Sequence, residues 1–257
     1  LSCLQALFDQ KGLNEEFTIE VFLVDDGSTD GTSEAIQAQF PEVNIIQGDG
    51  NLYWNRGMYL AWKTAANIKD FDYYLWLNDD TFLFENAFKV LFKENFINAV
   101  VCGTTKSKLG KNPTYGGYVT PIQKLVFPNG GFQKSDYCNG NCVVIPRNVF
   151  ISVGYLDYTF QHALGDFDYS LRARKKGIEI IVAPEFIGFC ESHTISPKWQ
   201  SNSLNFIERL KNLYTPLSGC YPPEYFIFEK RHNGLALAIV HVISTHLRAI
   251  FPKFWKQ

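Results

Sequence analysis

Methionine is nearly absent: Met58 is the only one in 257 residues, and the chain begins on Leu1. Such a beginning reads as cut, processed or recorded late. Net charge is also small, with 24 Lys and Arg against 26 Asp and Glu, a balance of -2. A nucleic-acid partner is not expected, because that footprint is usually basic. Paired cysteine spacing is lacking as well. Cys3, Cys102, Cys138, Cys142, Cys190 and Cys220 are scattered, and only Cys138 and Cys142 sit close. A zinc knuckle needs a second pair, so reduced, partly buried thiols of a cytoplasmic protein are expected. A set of Cys138, Cys142 and His193 could hold zinc, but its spacing has no strong precedent. No leader pattern opens the chain. The longest apolar run, residues 235–251, is interrupted by His241, His246 and Arg248, which makes a poor membrane span.

What is present is material for a large core. Hydrophobic residues make up 46% and aromatics 16%, which excludes wholesale disorder. The length suits one large α/β domain or two small ones. Residues 19–24 form an apolar run fit for a strand buried on both faces. Helices are predicted over 32–40, 55–66 and 84–94, alternating with strands over 43–46, 73–77 and 99–103. This alternation predicts a parallel sheet with right-handed crossovers. Residues 106–136 are rich in Gly, Pro, Tyr and Lys, with a hairpin expected around 128–131. Further on, a strand over 142–145, helices over 146–153 and 166–176 and a strand over 178–182 are predicted. The chain reads as helical after Pro197.

Acidic residues gather where strands end. Asp25 and Asp26 follow the first strand, Asp79 and Asp80 follow the third, and Asp166 and Asp168 open a helix. Ligands bind beyond the carboxyl ends of strands in open sheets. Clustered carboxylates repel unless they hold a cation or a ligand. Each cluster also has a plainer reading. Asp25 to Ser28 suits a turn and helix cap, Asp79-Asp80 a solvated turn, and Asp166 an N-terminal cap. Asp168 and Arg172, one turn apart, suit a simple ion pair.

The composite Val24-Asp25-Asp26-Gly27-Ser28-Thr29-Asp30-Gly31-Thr32 resembles the family 2 inverting glycosyltransferases of the GT-A fold. The resemblance implies that Asp25 and Asp26 bind the nucleotide-sugar, with Asp26 on the nucleobase. Asn78-Asp79-Asp80 resembles the family's Asp-x-Asp-type motif, with Asn at its first position. This implies Asp80 as a metal ligand and Asp79 facing ribose or sugar. The cation would be Mn2+ or Mg2+, since hard oxygen donors suit either. Asn51 to Met58 lies where the family has its Asn-x-Gly donor segment, implying donor contacts from Asn51, Trp54 and Arg56. An ordinary helix start with a surface Arg is the plainer reading there.

Gly140-Asn141-Cys142-Val143-Val144-Ile145-Pro146-Arg147 resembles the segment before the acceptor-side helix, and Gly154-Tyr155-Leu156-Asp157 a Gly-Phe-Asp-Glu stretch. Gly165-Asp166-Phe167-Asp168-Tyr169-Ser170-Leu171-Arg172 resembles Glu-Asp-x-Asp-Leu-x-Leu-Arg, with Gly165 in place of Glu. Asp166 then corresponds to the catalytic base. His193, after the last core strand, corresponds to a further metal ligand; a surface histidine is its plainer reading.

The resemblance covers residues 1–193. It implies a GT-A catalytic domain over 1–200, with a donor half at 1–105 and an acceptor half at 106–200, and a helical extension over 201–257. It also implies a first strand missing before residue 2. The implied partners are a nucleotide-sugar donor and a glycan or lipid-linked saccharide acceptor, in bacterial surface polysaccharide synthesis. A nucleotidyltransferase and a non-catalytic sugar-binding module are the rival readings. The helix over 235–257 is expected to pack on the domain or form a dimer contact. The other reading is peripheral contact with the inner face of a membrane.

Overall fold

The computed structural model describes residues 1–192 and 197–254. The chain opens on α1 (Ser2–Phe8), then β1 (Phe22–Asp25), α2 (Thr32–Gln39), β2 (Asn44–Gln47), α3 (Tyr53–Ile68) and β3 (Tyr73–Leu77). Next come β4 (Phe82–Leu83), α4 (Ala87–Leu91), β5 (Ala99–Lys106), β6 (Pro113–Tyr115), β7 (Gly117–Val119) and β8 (Lys124–Leu125). β9 (Gln133–Ser135), β10 (Tyr137–Cys138) and β11 (Cys142–Pro146) lead to α5 (Arg147–Val153), α6 (Gly165–Lys175) and β12 (Glu179–Phe189). The end is helical: α7 (Phe206–Leu213), α8 (Pro222–Asn233) and α9 (Leu235–Ile250).

β1 and β2 pair in parallel. The main sheet has the order β3-β11-β5-β12-β4. β5 and β12 are parallel, and β11 runs opposite to both β3 and β5. The principal strands β3, β5 and β12 therefore share one direction, with helices on the flanks: the expected α/β, GT-A-like architecture. β12 continues past the predicted end at residue 182 by shifting register between Val182 and Phe186. The expected hairpin around 128–131 does not form. β8 pairs with β7 and β9 with β12, so this turn joins two sheets, and Gly130 N–H donates to the Pro184 carbonyl.

Trp62 organises the core behind the sheet's working edge. Its ring meets those of Tyr74, Trp76, Phe150, Tyr155 and Tyr169 at centroid distances of 5.3–5.6 Å. Such pairs contribute about 0.5–1.5 kcal/mol each beyond their burial. Since these rings come from α3, β3, α5 and α6 and the loop between the last two, the cluster fixes α3 and α6 against the end of β3.

Candidate active site

β1 ends on two carboxylates with different tasks. Asp25 is buried, and its oxygens accept from Ser28 N–H at 2.8 Å and from the Ser33 hydroxyl. Those donors hold its carboxyl below the usual range. Asp26 reaches forward: Oδ1 accepts from Gly50 N–H at 2.8 Å, and Oδ2 from Leu52 and Tyr53 N–H at 2.8 and 3.1 Å. It thereby fixes the loop that starts α3. Gly48 is required beside it, because a Cβ there would lie 2.5 Å from Asp26 Oδ1.

At the end of β3, Trp54 Nε1 donates to Asn78 Oδ1 at 2.7 Å. Asn78 N–H donates to the Asn141 carbonyl at 3.0 Å, tying β3 to the start of β11. Asp79 is exposed and Asp80 half-buried. Burial and the neighbouring Asp80 push the Cys190 thiol up to about 12, so it stays protonated.

Asp166 lies in the first turn of α6. Its Oδ2 accepts from Gly140 N–H and its Oδ1 from its neighbour Phe167 N–H, at 2.9 and 2.8 Å. Burial nonetheless pushes its carboxyl up to about 6. A carboxylate near neutrality is suited to taking up a proton.

One large cleft, which also runs between β1 and β3 past Leu23, Trp62 and Leu75, has Asp25, Asp26, Trp54, Asp79, Asp80 and Asp166 in its walls. Asn51 and Arg56 are not among its lining residues. Asn51 folds onto Asp49, and Arg56 Nε donates to the Tyr158 carbonyl at 3.0 Å, its guanidinium 4.8 Å from that ring's centre. His193 lies outside the described residues.

The sequence matches the model of a known family, described as Glycosyl transferase family 2, over residues 1–154. The chain belongs to glycosyl transferase family 2. Sugar transfer is the general activity this membership supports. Two solved structures share the fold. A mannosyltransferase from Pyrobaculum calidifontis, in complex with GDP-Man and Mn2+, is 14% identical with a TM-score of 0.55. The match covers 96% of this chain and 68% of that one. Residues 1–349 of TarS from S. aureus are 14% identical with a TM-score of 0.52, covering 97% and 76% of the two chains. Comparison with curated proteins gave no sequence match.

In this family 2 chain, the helical extension reaches the site helix. Asp168, fully buried, accepts from Arg172 Nε at 2.7 Å, from the Arg231 guanidinium at 2.7 Å and from His232 Nε2 at 2.8 Å. Burial raises its carboxyl, but the bonds from His232 and Arg172 outweigh that and hold it below the usual range. Arg231 also pairs with Asp157 at 2.7 Å. The expected Asp168–Arg172 pair exists, but the sequence does not reveal Arg231 and His232. They lie sixty residues on in another helix, and no local spacing signals them. The Gly140 N–H that holds Asp166 was equally hidden, being a backbone group.

Among the described residues, no three His, Cys, Asp or Glu side chains converge tightly enough to hold a metal alone. Asp79 and Asp80 offer adjacent carboxylates beside the cleft. One or two carboxylates completed by phosphate oxygens and water are a usual Mg2+ site, and Mn2+ takes the same donors. The donor chemistry therefore fits a cation that arrives with a diphosphate.

Proposed function

We propose that the protein transfers a sugar from a nucleoside-diphosphate sugar to a hydroxyl of a glycan or lipid-linked saccharide, with inversion at the anomeric carbon. The setting would be bacterial surface polysaccharide synthesis. The observation that carries the reading is a carboxyl raised to about 6, Asp166, in the same cleft as Asp79 and Asp80. Asp166 takes the proton of the acceptor hydroxyl as that oxygen attacks the anomeric carbon. The bond from that carbon to the diphosphate oxygen breaks on the opposite face. The N–H groups of Gly140 and Phe167 fix the carboxylate's direction during this step.

Asp25 keeps the β1 turn in shape, and Asp26 presents the 48–53 loop to the nucleobase side. Trp54, held by Asn78, offers a ring to the sugar or base. Asp79 faces ribose or sugar. Asp80, with His193 beyond the described residues, would hold Mn2+ or Mg2+, which supplies neutralisation of the leaving diphosphate. Asn51 and Arg56 serve the donor side through the loop and helix start they stabilise.

Product analysis tests the reading. Purified full chain is incubated with a panel of nucleotide-sugars, Mn2+ and saccharide acceptors. Free nucleoside diphosphate with a glycosylated acceptor is expected. Pyrophosphate release would point to nucleotidyl transfer. Donor binding without either product would point to a sugar-binding module.

A further inference from the structure

α9 presents its small residues to the protein and its large ones to solvent. Ala238, Thr245 and Ala249 face inward and are buried, whereas Val240, Ile243 and Leu247 are 56%, 55% and 40% exposed. Leu237, Ile239 and Ile250 are exposed as well. Residues 236, 240, 243, 247 and 250 recur at helical spacing, so they form one apolar stripe along the outer side. A helix stabilised only by its own domain would carry the opposite pattern. The inward side is firmly held: Ala249 clusters with Trp199 and Leu213, His241 Nδ1 bonds Glu229 at 2.8 Å, and Tyr214 bonds His246 at 3.0 Å. The stripe is therefore a built feature and not the result of a loosely placed helix.

The segment that carries the stripe has an excess of positive charge. From residue 201 on, seven Lys and Arg stand against three Asp and Glu, a net of +4 in a chain whose total is -2. Two of those acids, Glu224 and Glu229, are buried. Among the described residues, the exposed charges of this segment are Lys211, Lys230, Arg248 and Lys253 against Glu208 alone. Among the described residues, no helix is long and apolar enough to cross a membrane.

We propose that the outer face of α9 docks on an anionic lipid bilayer. The helix lies along the surface with Val240, Ile243 and Leu247 in the boundary between headgroups and acyl chains, and the segment's exposed lysines meet lipid phosphates. A second copy fits less well, because a two-fold contact sets two segments of the same net positive charge against each other. The proposal does not depend on the transferase reading.

Vesicle flotation of the full chain tests it. Vesicles of phosphatidylcholine alone are compared with vesicles one-third phosphatidylglycerol. Recovery with the anionic vesicles is expected to exceed that with neutral ones by about tenfold and to fall with added salt. The variant Val240→Asp/Ile243→Asp/Leu247→Asp should lose binding by at least about tenfold with unchanged far-UV circular dichroism. Lys211→Glu/Lys253→Glu, which leaves the stripe intact, should lose the preference for anionic vesicles. Equal recovery with and without vesicles would overturn the proposal. So would a dimer in size-exclusion light scattering that the triple variant converts to monomer, since the face would then join two copies.

Discussion

A Cβ placed on Gly165 would lie 1.8 Å from Oδ1 of Asn55. Asn55 is fully buried, and its Nδ2 bonds the carbonyls of Asp157 and Phe160 at 2.8 and 2.7 Å. One side chain of α3 thus braces the loop before α6 and fills the space where residue 165 would carry its own. This accounts for glycine where the family resemblance places Glu. Gly165→Ala would normally favour a helix by about 1 kcal/mol. Here it is expected to destabilise instead, by about 1–3 kcal/mol, and to lower turnover by displacing Asp166. Asn55→Gly removes the brace and costs stability on its own, so the double variant should lose less than the sum of the two single variants. Urea unfolding and turnover of the two single variants and the double variant check this.

Asp166→Asn separates the base role proposed for Asp166 from its structural one. The amide oxygen can still accept from Gly140 N–H, but no proton can be taken up. Turnover is expected to fall by about 10²–10⁴-fold while donor affinity holds. In the unchanged protein, kcat/KM should rise with pH through a limb near 6, where Asp166 ionises. Stability moves the other way. The folded-state value lies above the unfolded one, so the protonated form is favoured, and that advantage is lost as pH rises through about 6. Asp166→Asn loses the acceptor for one of its two N–H partners at every pH, but relative to the unchanged protein its melting temperature should gain between pH ~4 and 7.5, by an amount equivalent to roughly 1–2 kcal/mol.

Asp168 joins α6 to α8 through Arg172, Arg231 and His232. Removing one partner of a buried ion pair costs about 3–5 kcal/mol. Asp168→Ala is expected to lose that order of stability in denaturant unfolding and to loosen α8. Because the Asp168 carboxyl is held below its ordinary range, its contribution is present above the unfolded value and is lost as pH falls through the folded one.

Asp26 supports three backbone N–H groups of the loop before α3. Asp26→Ala leaves them without their acceptor, at a cost of about 1–3 kcal/mol. Thermal unfolding and donor titration should show stability and donor affinity falling together.

Much of this was legible in the sequence. The apolar run at 73–77 matched β3 residue for residue, because bounded stretches of β-formers leave few alternatives. Asp25, Asp26, Asp79, Asp80 and Asp166 were identifiable from motifs, and all five line one cleft. The gaps share a cause. The Asn55–Gly165 contact, the Gly140 N–H on Asp166 and the Arg231 and His232 bonds to Asp168 all join elements distant in sequence, so no local period encodes them. The hairpin expected near 128–131 does not form, because turn residues mark a change of direction but not which strand is joined next. The outward apolar face of α9 required burial, since a helical period alone does not say which side faces in.

Isothermal titration calorimetry of nucleotide-sugars into the full chain tests the central claim most directly. With Mn2+ present, at least one nucleoside-diphosphate sugar should bind. Chelation should abolish that binding, and Asp80→Asn should weaken it by about tenfold or more. A properly folded chain that binds no nucleotide-sugar with either Mn2+ or Mg2+ would contradict the account.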